Sequence, residues 1–125
     1  MPEPAQVRQA VEHYLAAVAA RDTDAIVSCF AADAVQRDPV TADPNIGHDA
    51  IRGFFEAAIG GSDSWKVSTG QVIACGDQAA VLFTLTVEAG GGAMEMDIIE
   101  ILRIGPAGEI LSLDAFWDAE QVRAI

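Results

Sequence analysis

Apolar residues at helical spacing dominate the first half of the chain. Over residues 4–20 they recur every three or four positions, which predicts an amphipathic helix. The polar run 21–24 breaks this pattern and can cap a second short helix that reaches about Phe30, because Asp and Thr side chains accept hydrogen bonds from free helical N–H groups. A third helix is predicted over residues 49–59, and Gly60 and Gly61 end it.

The pattern changes to that of β-strands after Ser64. Apolar and β-branched residues fill four runs, separated by glycine-containing turns, over residues 65–75, 78–89, 93–104 and 109–118. Residues 34–37 form a brief extended segment before a turn-rich loop over 38–47. This order predicts an α+β fold, in which three N-terminal helices wrap a curved, mostly antiparallel sheet. The resulting cone would enclose an apolar pocket, and residues 1–125 are expected to form a single domain.

The strand predicted over residues 93–104 carries one acidic residue on an otherwise apolar face. Because side chains alternate between the faces of a strand, this inward face comprises Met94, Met96, Ile98, Glu100, Leu102 and Ile104. Burial disfavours an ionised carboxylate, so the pKa of Glu100 should rise and its protonated form should donate a hydrogen bond. Two alternatives are that a buried arginine pairs with Glu100, or that a β-bulge turns it outward.

Tyr14, the only tyrosine, lies in the apolar stripe of the first predicted helix. Its ring is therefore expected inside the protein, where a hydroxyl group needs a hydrogen-bond partner. That partner could be a backbone carbonyl group, as in many protein cores. Alternatively, the hydroxyl groups of Tyr14 and of a protonated Glu100 converge on one point, and two converging donors form an oxyanion hole.

Asp38 precedes Pro39 at the point where the extended segment meets the loop. An ordinary Asp-Pro turn explains such a pair. The functional interpretation is that a carboxylate held at the pocket mouth acts as a general base. One carboxyl group kept ionised and another kept neutral would then divide the base and acid roles between Asp38 and Glu100.

The charge balance narrows the range of partners. Seven Lys and Arg residues stand against 19 Asp and Glu residues, which gives a net charge of −12. Such a surface repels phosphate backbones and anionic lipid headgroups, so neither nucleic acid nor a membrane surface is an expected partner. An uncharged apolar ligand would hardly respond to this field. The amino-terminal residues lack the basic start and apolar run of a signal peptide, and a cytoplasmic protein is expected.

Neither the cysteines nor the histidines indicate a metal site or a disulfide framework. Cys29 and Cys75 lie in apolar stretches, where reduced, buried thiols are expected. His13 and His48 have no cysteine or second histidine at a ligand spacing, so surface or capping roles are expected. No phosphate-binding glycine loop, zinc motif or Ser/His/Asp order is present.

Several segments resemble the bacterial steroid Δ5-3-ketosteroid isomerases, members of the NTF2-like or SnoaL-like superfamily. The similar segments extend along nearly the whole chain and comprise residues 11–17, 21–27, 30–34, 38–40, 47–54 and 99–108. The resemblance implies that Asp38 is the catalytic base and that Tyr14 and Glu100 form the oxyanion hole. It also implies four residues of the apolar substrate pocket, which are Phe54, Phe55, Phe83 and Trp117. Ketosteroid isomerases are the type case of a carboxylic acid kept neutral to donate a hydrogen bond, and the expectation for Glu100 applies that case.

The reaction of this family moves a double bond of a 3-oxo steroid from the β,γ to the α,β position. By resemblance, Asp38 would carry the proton through a dienolate, and the reaction would need neither a metal nor an organic cofactor. The expected partners are a small apolar ketone or steroid and a second copy of the chain, because the exposed sheet face of such domains commonly dimerises. The alternatives are a SnoaL-like polyketide cyclase and a non-catalytic protein that binds a small apolar ligand.

Three departures from the family pattern concern the pocket. Glu100 stands where the family usually has aspartate, and its extra methylene group could still place the carboxyl group near the oxygen or could push it aside. Phe55 stands where many members have a tyrosine, so the hydrogen-bond network behind Tyr14 would be shorter or completed by water. Residues 60–65 also differ, which predicts a different ligand preference at the pocket rim.

Overall fold

The computed structural model describes residues 1–125, in which three helices pack against one sheet. The helices are α1 (Pro4–Ala19), α2 (Thr23–Ser28) and α3 (His48–Gly60). The strands are β1 (Phe30–Arg37), β2 (Asn45–Ile46), β3 (Ser64–Cys75), β4 (Gln78–Ala89), β5 (Gly92–Ile104), β6 (Ile110–Phe116) and β7 (Val122–Ala124). A turn of 3₁₀ helix, Ala119–Gln121, precedes β7.

The helix ends follow the local sequence. Pro4 begins α1, at a position where its missing N–H group has no intrahelical partner to lose. Asp22 caps α2, because its carboxylate accepts a hydrogen bond from the N–H group of Ala25 at 3.1 Å. Arg21 joins these two helices with a φ of 56°, in the left-handed region. Gly61 follows the last residue of α3, as the glycine pair predicts.

All seven strands belong to one mixed sheet, in the order β2-β1-β6-β5-β4-β3, and β7 adds to β5. Strands β3 to β6 form the antiparallel meander that the sequence predicts, whereas β1 lies parallel to β6. The sheet is curved but does not close into a barrel. The predicted α+β fold, with three helices on a mostly antiparallel sheet, is confirmed.

The structure corrects several predicted boundaries. α2 ends at Ser28, before the predicted end, and β1 begins at Phe30 rather than at residue 34. β6 is shorter than the predicted run and covers Ile110–Phe116. The sequence does not predict β2 or β7, because segments of two or three residues show no recognisable alternation.

The core lies between the inner face of the sheet and the helices. Twenty buried residues form one apolar cluster, to which α1 contributes its whole apolar stripe. None of the helices combines the length and apolar character needed to cross a membrane.

Strand β5 shows the predicted alternation along its second half. Ile98, Glu100, Leu102 and Ile104 are buried, and the residues between them are exposed. Met94 shares the face of Glu100, as the alternation predicts, but it lies near the β4–β5 turn and is 43% exposed rather than buried.

The expectation of two buried thiols is also wrong. Both cysteines are free, but Cys75 is exposed at the end of β3 and Cys29 is only half-buried. Cys75 is the last strand residue before the Gly76 turn.

Candidate active site

An apolar cavity of about 140 Å³ lies between the helices and the inner face of the sheet. Asp38 and Glu100 are the only charged residues in its wall. Every residue that the sequence places in a site lines this one cavity, namely Tyr14, Asp38, Phe54, Phe55, Phe83, Glu100 and Trp117. Tyr14 lies on α1, Asp38 directly follows β1, and Glu100 lies in the second half of β5. The fold therefore brings together side chains that are far apart in the sequence.

The two acidic residues lie on either side of one position of β6. Glu100 pairs with Ala115 across the β5–β6 ladder. On the other side of β6, the N–H group of Val40 donates to the Ala115 carbonyl oxygen at 2.7 Å, which attaches the chain just after Asp38. The Asp38–Pro39 peptide bond, which precedes Val40, is cis. The small, fully buried Ala115 thus separates the backbones that carry the two carboxyl groups.

Glu100 is a buried carboxyl group without a partner. It is 3% exposed, and its Oε1 atom has no hydrogen bond. No arginine pairs with it, and the β-bulge of the β5–β6 ladder lies beyond it, between Arg103 and Ile104. Burial raises the pKa of Glu100 well above its ordinary value, and the negative charge of Asp38 raises the pKa further. This environment favours the protonated acid.

Asp38 has a hydrogen-bond donor that Glu100 lacks. The indole Nε1 atom of Trp117 donates to Asp38 Oδ1 at 2.7 Å. Burial raises the pKa of Asp38, while this hydrogen bond stabilises the carboxylate and lowers the pKa. Trp117 is expected from the sequence only as an apolar wall residue, and its polar role is not foreseen. No local pattern reveals it, because the two residues are 79 positions apart.

Tyr14 lies close enough to both acids to feel their charges. Its side chain is 2% exposed, and its ring meets the Phe30 ring edge to face at 5.5 Å. The pKa of the Tyr14 phenol is raised well above its ordinary value. Burial is the largest cause, and the negative charges of Glu100 and then of Asp38 raise the pKa further. The phenol therefore keeps its proton and is available as a hydrogen-bond donor at the cavity.

The rest of the cavity wall is apolar. Phe54 and Phe55 pack edge to face at 5.1 Å on α3. The sequence does not single out seven further lining residues, which are Leu15, Val18, Ala58, Trp65, Leu85, Met96 and Ile98. Most of them belong to the periodic apolar positions of α1, β4 and β5, so the strand and helix patterns contain the signal. Trp65 is different, because its indole Nε1 atom donates to the Val18 carbonyl oxygen at 2.7 Å.

Other depressions on the surface do not bring buried ionisable groups together. One of about 470 Å³ lies between α1 and the β5–β6 turn and is lined mainly by polar or small residues. No three His, Cys, Asp or Glu side chains come together in a way that could hold a metal ion. The 140 Å³ cavity combines two carboxyl groups of raised pKa with an apolar wall. This combination is typical of a site for proton transfer on a small molecule.

Comparison with known proteins places this chain in a family. Residues 11–113 match the family model described as a SnoaL-like domain. A steroid Delta-isomerase of Nocardioides simplex is 35% identical over 113 residues, which cover 90% of each chain.

Two solved structures share the fold over 100% of each chain. One is SalBIII, described as an epoxide hydrolase/cyclase-like enzyme in pyran ring formation in the polyether salinomycin, with a TM-score of 0.92 and 23% identity. The other is RV0760c from Mycobacterium tuberculosis, with a TM-score of 0.88 and 20% identity. At these identities the two structures support the fold alone.

Proposed function

The chain belongs to the SnoaL-like domain family, and within it we propose that it is a steroid Δ-isomerase acting on 3-oxo-Δ5 steroids or similar β,γ-unsaturated ketones. One observation carries the proposal: a buried carboxyl group, Glu100, and a partly buried one, Asp38, face one apolar cavity, and only Asp38 has a hydrogen-bond donor. The similarity to a steroid Delta-isomerase supports the isomerase over a cyclase or a non-catalytic ligand-binding protein.

Asp38 is the proposed base. In the ketone, the carbon between the carbonyl group and the double bond carries the most acidic proton. The Asp38 carboxylate removes that proton, the C–H electron pair moves into the conjugated system, and a dienolate forms with its negative charge on the carbonyl oxygen. The Trp117 hydrogen bond favours the ionised carboxylate, against the larger effect of desolvation, and orients it at the cavity.

Tyr14 and protonated Glu100 are the proposed donors to the dienolate oxygen. Both are buried, and both have a pKa raised above the ordinary value, so each keeps a proton to donate. Hydrogen bonds in an apolar, water-excluding site stabilise developing charge more strongly than they would in water. Protonated Asp38 then returns the proton to the far carbon of the dienolate, which leaves the conjugated ketone and regenerates the carboxylate. This sequence of steps needs no metal and no organic cofactor.

We also infer a homodimer formed through the outer face of the sheet. This outer apolar face consists of exposed Ile73, Leu82, Ile99, Ile101 and Phe116. Arginines pair with the acidic residues around it, through Arg37–Asp114, Arg103–Asp77 and Arg123–Asp97. These pairs neutralise acidic residues next to the face, so two approaching copies meet less like-charge repulsion there than the net charge of −12 suggests. Light scattering should show a dimer that Ile99→Lys dissociates and Ile99→Val preserves; a monomeric wild type would contradict the inference.

The proposed activity has a direct test. Purified protein is mixed with a 3-oxo-Δ5 steroid, and the absorbance of the conjugated enone is followed. Asp38→Asn should lose about 10²–10⁴-fold in rate, because it removes the base while keeping the shape of the side chain. An Asp38→Asn variant that retains the wild-type rate, or a wild type that binds the steroid without converting it, would contradict the proposal.

A further inference from the structure

The cavity is small for a molecule with several fused rings. Its volume is about 140 Å³, whereas pockets that enclose whole drug-sized ligands measure roughly 300–1,000 Å³. An apolar protein cavity of about 150 Å³ holds one benzene molecule. The space next to Tyr14, Asp38 and Glu100 therefore encloses about one six-membered ring.

Trp65 closes the end of the cavity opposite the acidic residues. Along the inner face of the sheet, Trp65 pairs with Val87, and Val87 pairs with Met94 of β5. Met94 and Glu100 are six positions apart on β5, which corresponds to roughly 20 Å at about 3.4 Å per residue. The backbone of Trp65 is therefore far from Glu100, and its indole extends to α1, where it lines the cavity beside Val18.

The Trp65 side chain is held by two independent contacts. Its Nε1 atom donates to the Val18 carbonyl oxygen at 2.7 Å, one helical turn after Tyr14. The Arg21 guanidinium lies over the indole, 4.7 Å from the ring centroid. These two contacts bind the ring to the helix that carries Tyr14.

Arg21 is itself fixed by the segment that follows α3. Its Nη1 atom donates to Ser62 Oγ at 2.9 Å, and its Nη2 atom donates to the carbonyl oxygens of Ile59 and Ser62 at 3.2 and 3.1 Å. We call Trp65, Arg21, Ser62 and the Val18 carbonyl group the Trp65 clamp. The clamp joins the ends of α1 and α3 to the start of β3, and the indole cannot turn away without breaking its hydrogen bond to Val18 and its contact with Arg21.

We propose that the Trp65 clamp sets how much of a ligand the cavity encloses, so that one ring is buried against the acids and any further rings contact only the mouth. This inference rests on the proposed function, because it assumes that the ketone oxygen binds beside Tyr14 and Glu100. If one enclosed ring is sufficient for binding, single-ring β,γ-unsaturated ketones are expected to be substrates. Trp65 is then the residue that discriminates between one-ring and multi-ring ligands.

Phenols test the clamp without requiring turnover, because a phenol oxygen can occupy the position proposed for the dienolate oxygen. Dissociation constants are measured by calorimetry for 4-methylphenol and for a four-ring phenolic steroid. In the wild type, affinity should improve less than tenfold from one ring to four. In Trp65→Val, the four-ring phenol should gain at least fivefold relative to the one-ring phenol. Trp65→Phe, the matched control that keeps an aromatic ring, should shift this ratio less than twofold.

The possible failures are distinguishable. A folded Trp65→Val variant with an unchanged affinity ratio would overturn the clamp, and so would a wild type that already prefers the four-ring phenol more than tenfold. If Trp65→Val does not fold, the same change in affinity ratio is expected for Trp65→Leu. The ratio of the wild-type affinities for the two phenols tests the clamp without any variant. A protein whose ratio shifts as expected but that isomerises neither class of ketone contradicts only the proposed function. A wild type that binds neither phenol contradicts both.

Discussion

The indole Nε1 atom of Trp117 lies 2.7 Å from Oδ1 of Asp38 and donates a hydrogen bond to it, whereas Oε1 of Glu100 has no partner at all. Both carboxyl groups line the same cavity, Glu100 buried and Asp38 partly buried, and loss of solvent raises the pKa of each. Only Asp38 has a donor that opposes this effect. One hydrogen bond therefore separates the two acids into a group suited to accept a proton and a group suited to keep one.

Removal of the Trp117 donor should shift the pH dependence of activity. Trp117→Phe keeps an aromatic ring but loses the N–H group, so the pKa of Asp38 should rise beyond its already raised value. Because the base must be ionised, activity is lost as the pH falls through this pKa, and the acidic limb of the kcat/KM profile should move to higher pH. The measurement is a pH profile of both proteins with the same ketone. An acidic limb that stays in place would show that Trp117 does not tune the base.

Removal of either proposed oxyanion donor should slow the reaction. Tyr14→Phe deletes a hydroxyl group in an otherwise unchanged ring, and a single lost donor typically costs about 10²–10³-fold in kcat. Glu100→Ala should lose a similar factor. Glu100→Gln should lose less, because an amide still donates a hydrogen bond. Steady-state kinetics on the three variants test this order, and equal losses in Glu100→Gln and Glu100→Ala would argue against a donor role for Glu100.

Glu100 should also make the stability of the fold depend on pH. Its pKa is raised in the folded state above the ordinary value of 4.5, so the folded protein retains this proton at a pH where the unfolded chain has released it. The contribution of Glu100 to stability therefore falls as the pH rises above about 4.5 towards the folded pKa. Glu100→Gln, which cannot ionise, should gain stability relative to the wild type between pH 4 and pH 7. Urea unfolding at both pH values measures the difference, and a constant gap between the two proteins would contradict a raised pKa.

Two substitutions at Arg21 separate its side-chain contacts from its backbone conformation. Arg21→Ala loses the stacking on Trp65 and the hydrogen bonds to Ile59 and Ser62, which should cost about 1–3 kcal/mol of unfolding free energy. Arg21→Gly loses the same contacts but accommodates the φ of 56° without strain, so it should be less destabilised by about 1 kcal/mol. Urea denaturation of both variants gives the comparison. A glycine variant that is less stable than the alanine variant would show that the backbone at this position is not strained.

The parts of the structure that follow from local periodicity could be predicted from the sequence. The inward position of Glu100 follows from strand alternation, and the helical repeat places Tyr14 in the core. The glycine pair at the end of α3 marks where that helix ends. Glycine-containing turns likewise mark the end of β3 and the end of β4. Each of these signals is contained within about ten neighbouring residues.

The parts that depend on distant residues could not be predicted in this way. The hydrogen bonds from Trp117 to Asp38 and from Trp65 to Val18 join residues 79 and 47 positions apart, and no local pattern encodes them. The parallel pairing of β1 with β6 is equally non-local. The resemblance implies Trp117 only as an apolar pocket residue, and no pattern singles out Trp65, although each indole has an N–H group that needs an acceptor inside the protein.

A crystal structure with a bound phenol tests the central claim most directly, because it locates the oxygen that stands in for the dienolate oxygen. We predict that this oxygen lies about 2.5–3.0 Å from both the Tyr14 hydroxyl and a Glu100 carboxyl oxygen, with Asp38 facing the ring. A phenol oxygen directed towards solvent at the mouth, or bonded to neither Tyr14 nor Glu100, would contradict the account.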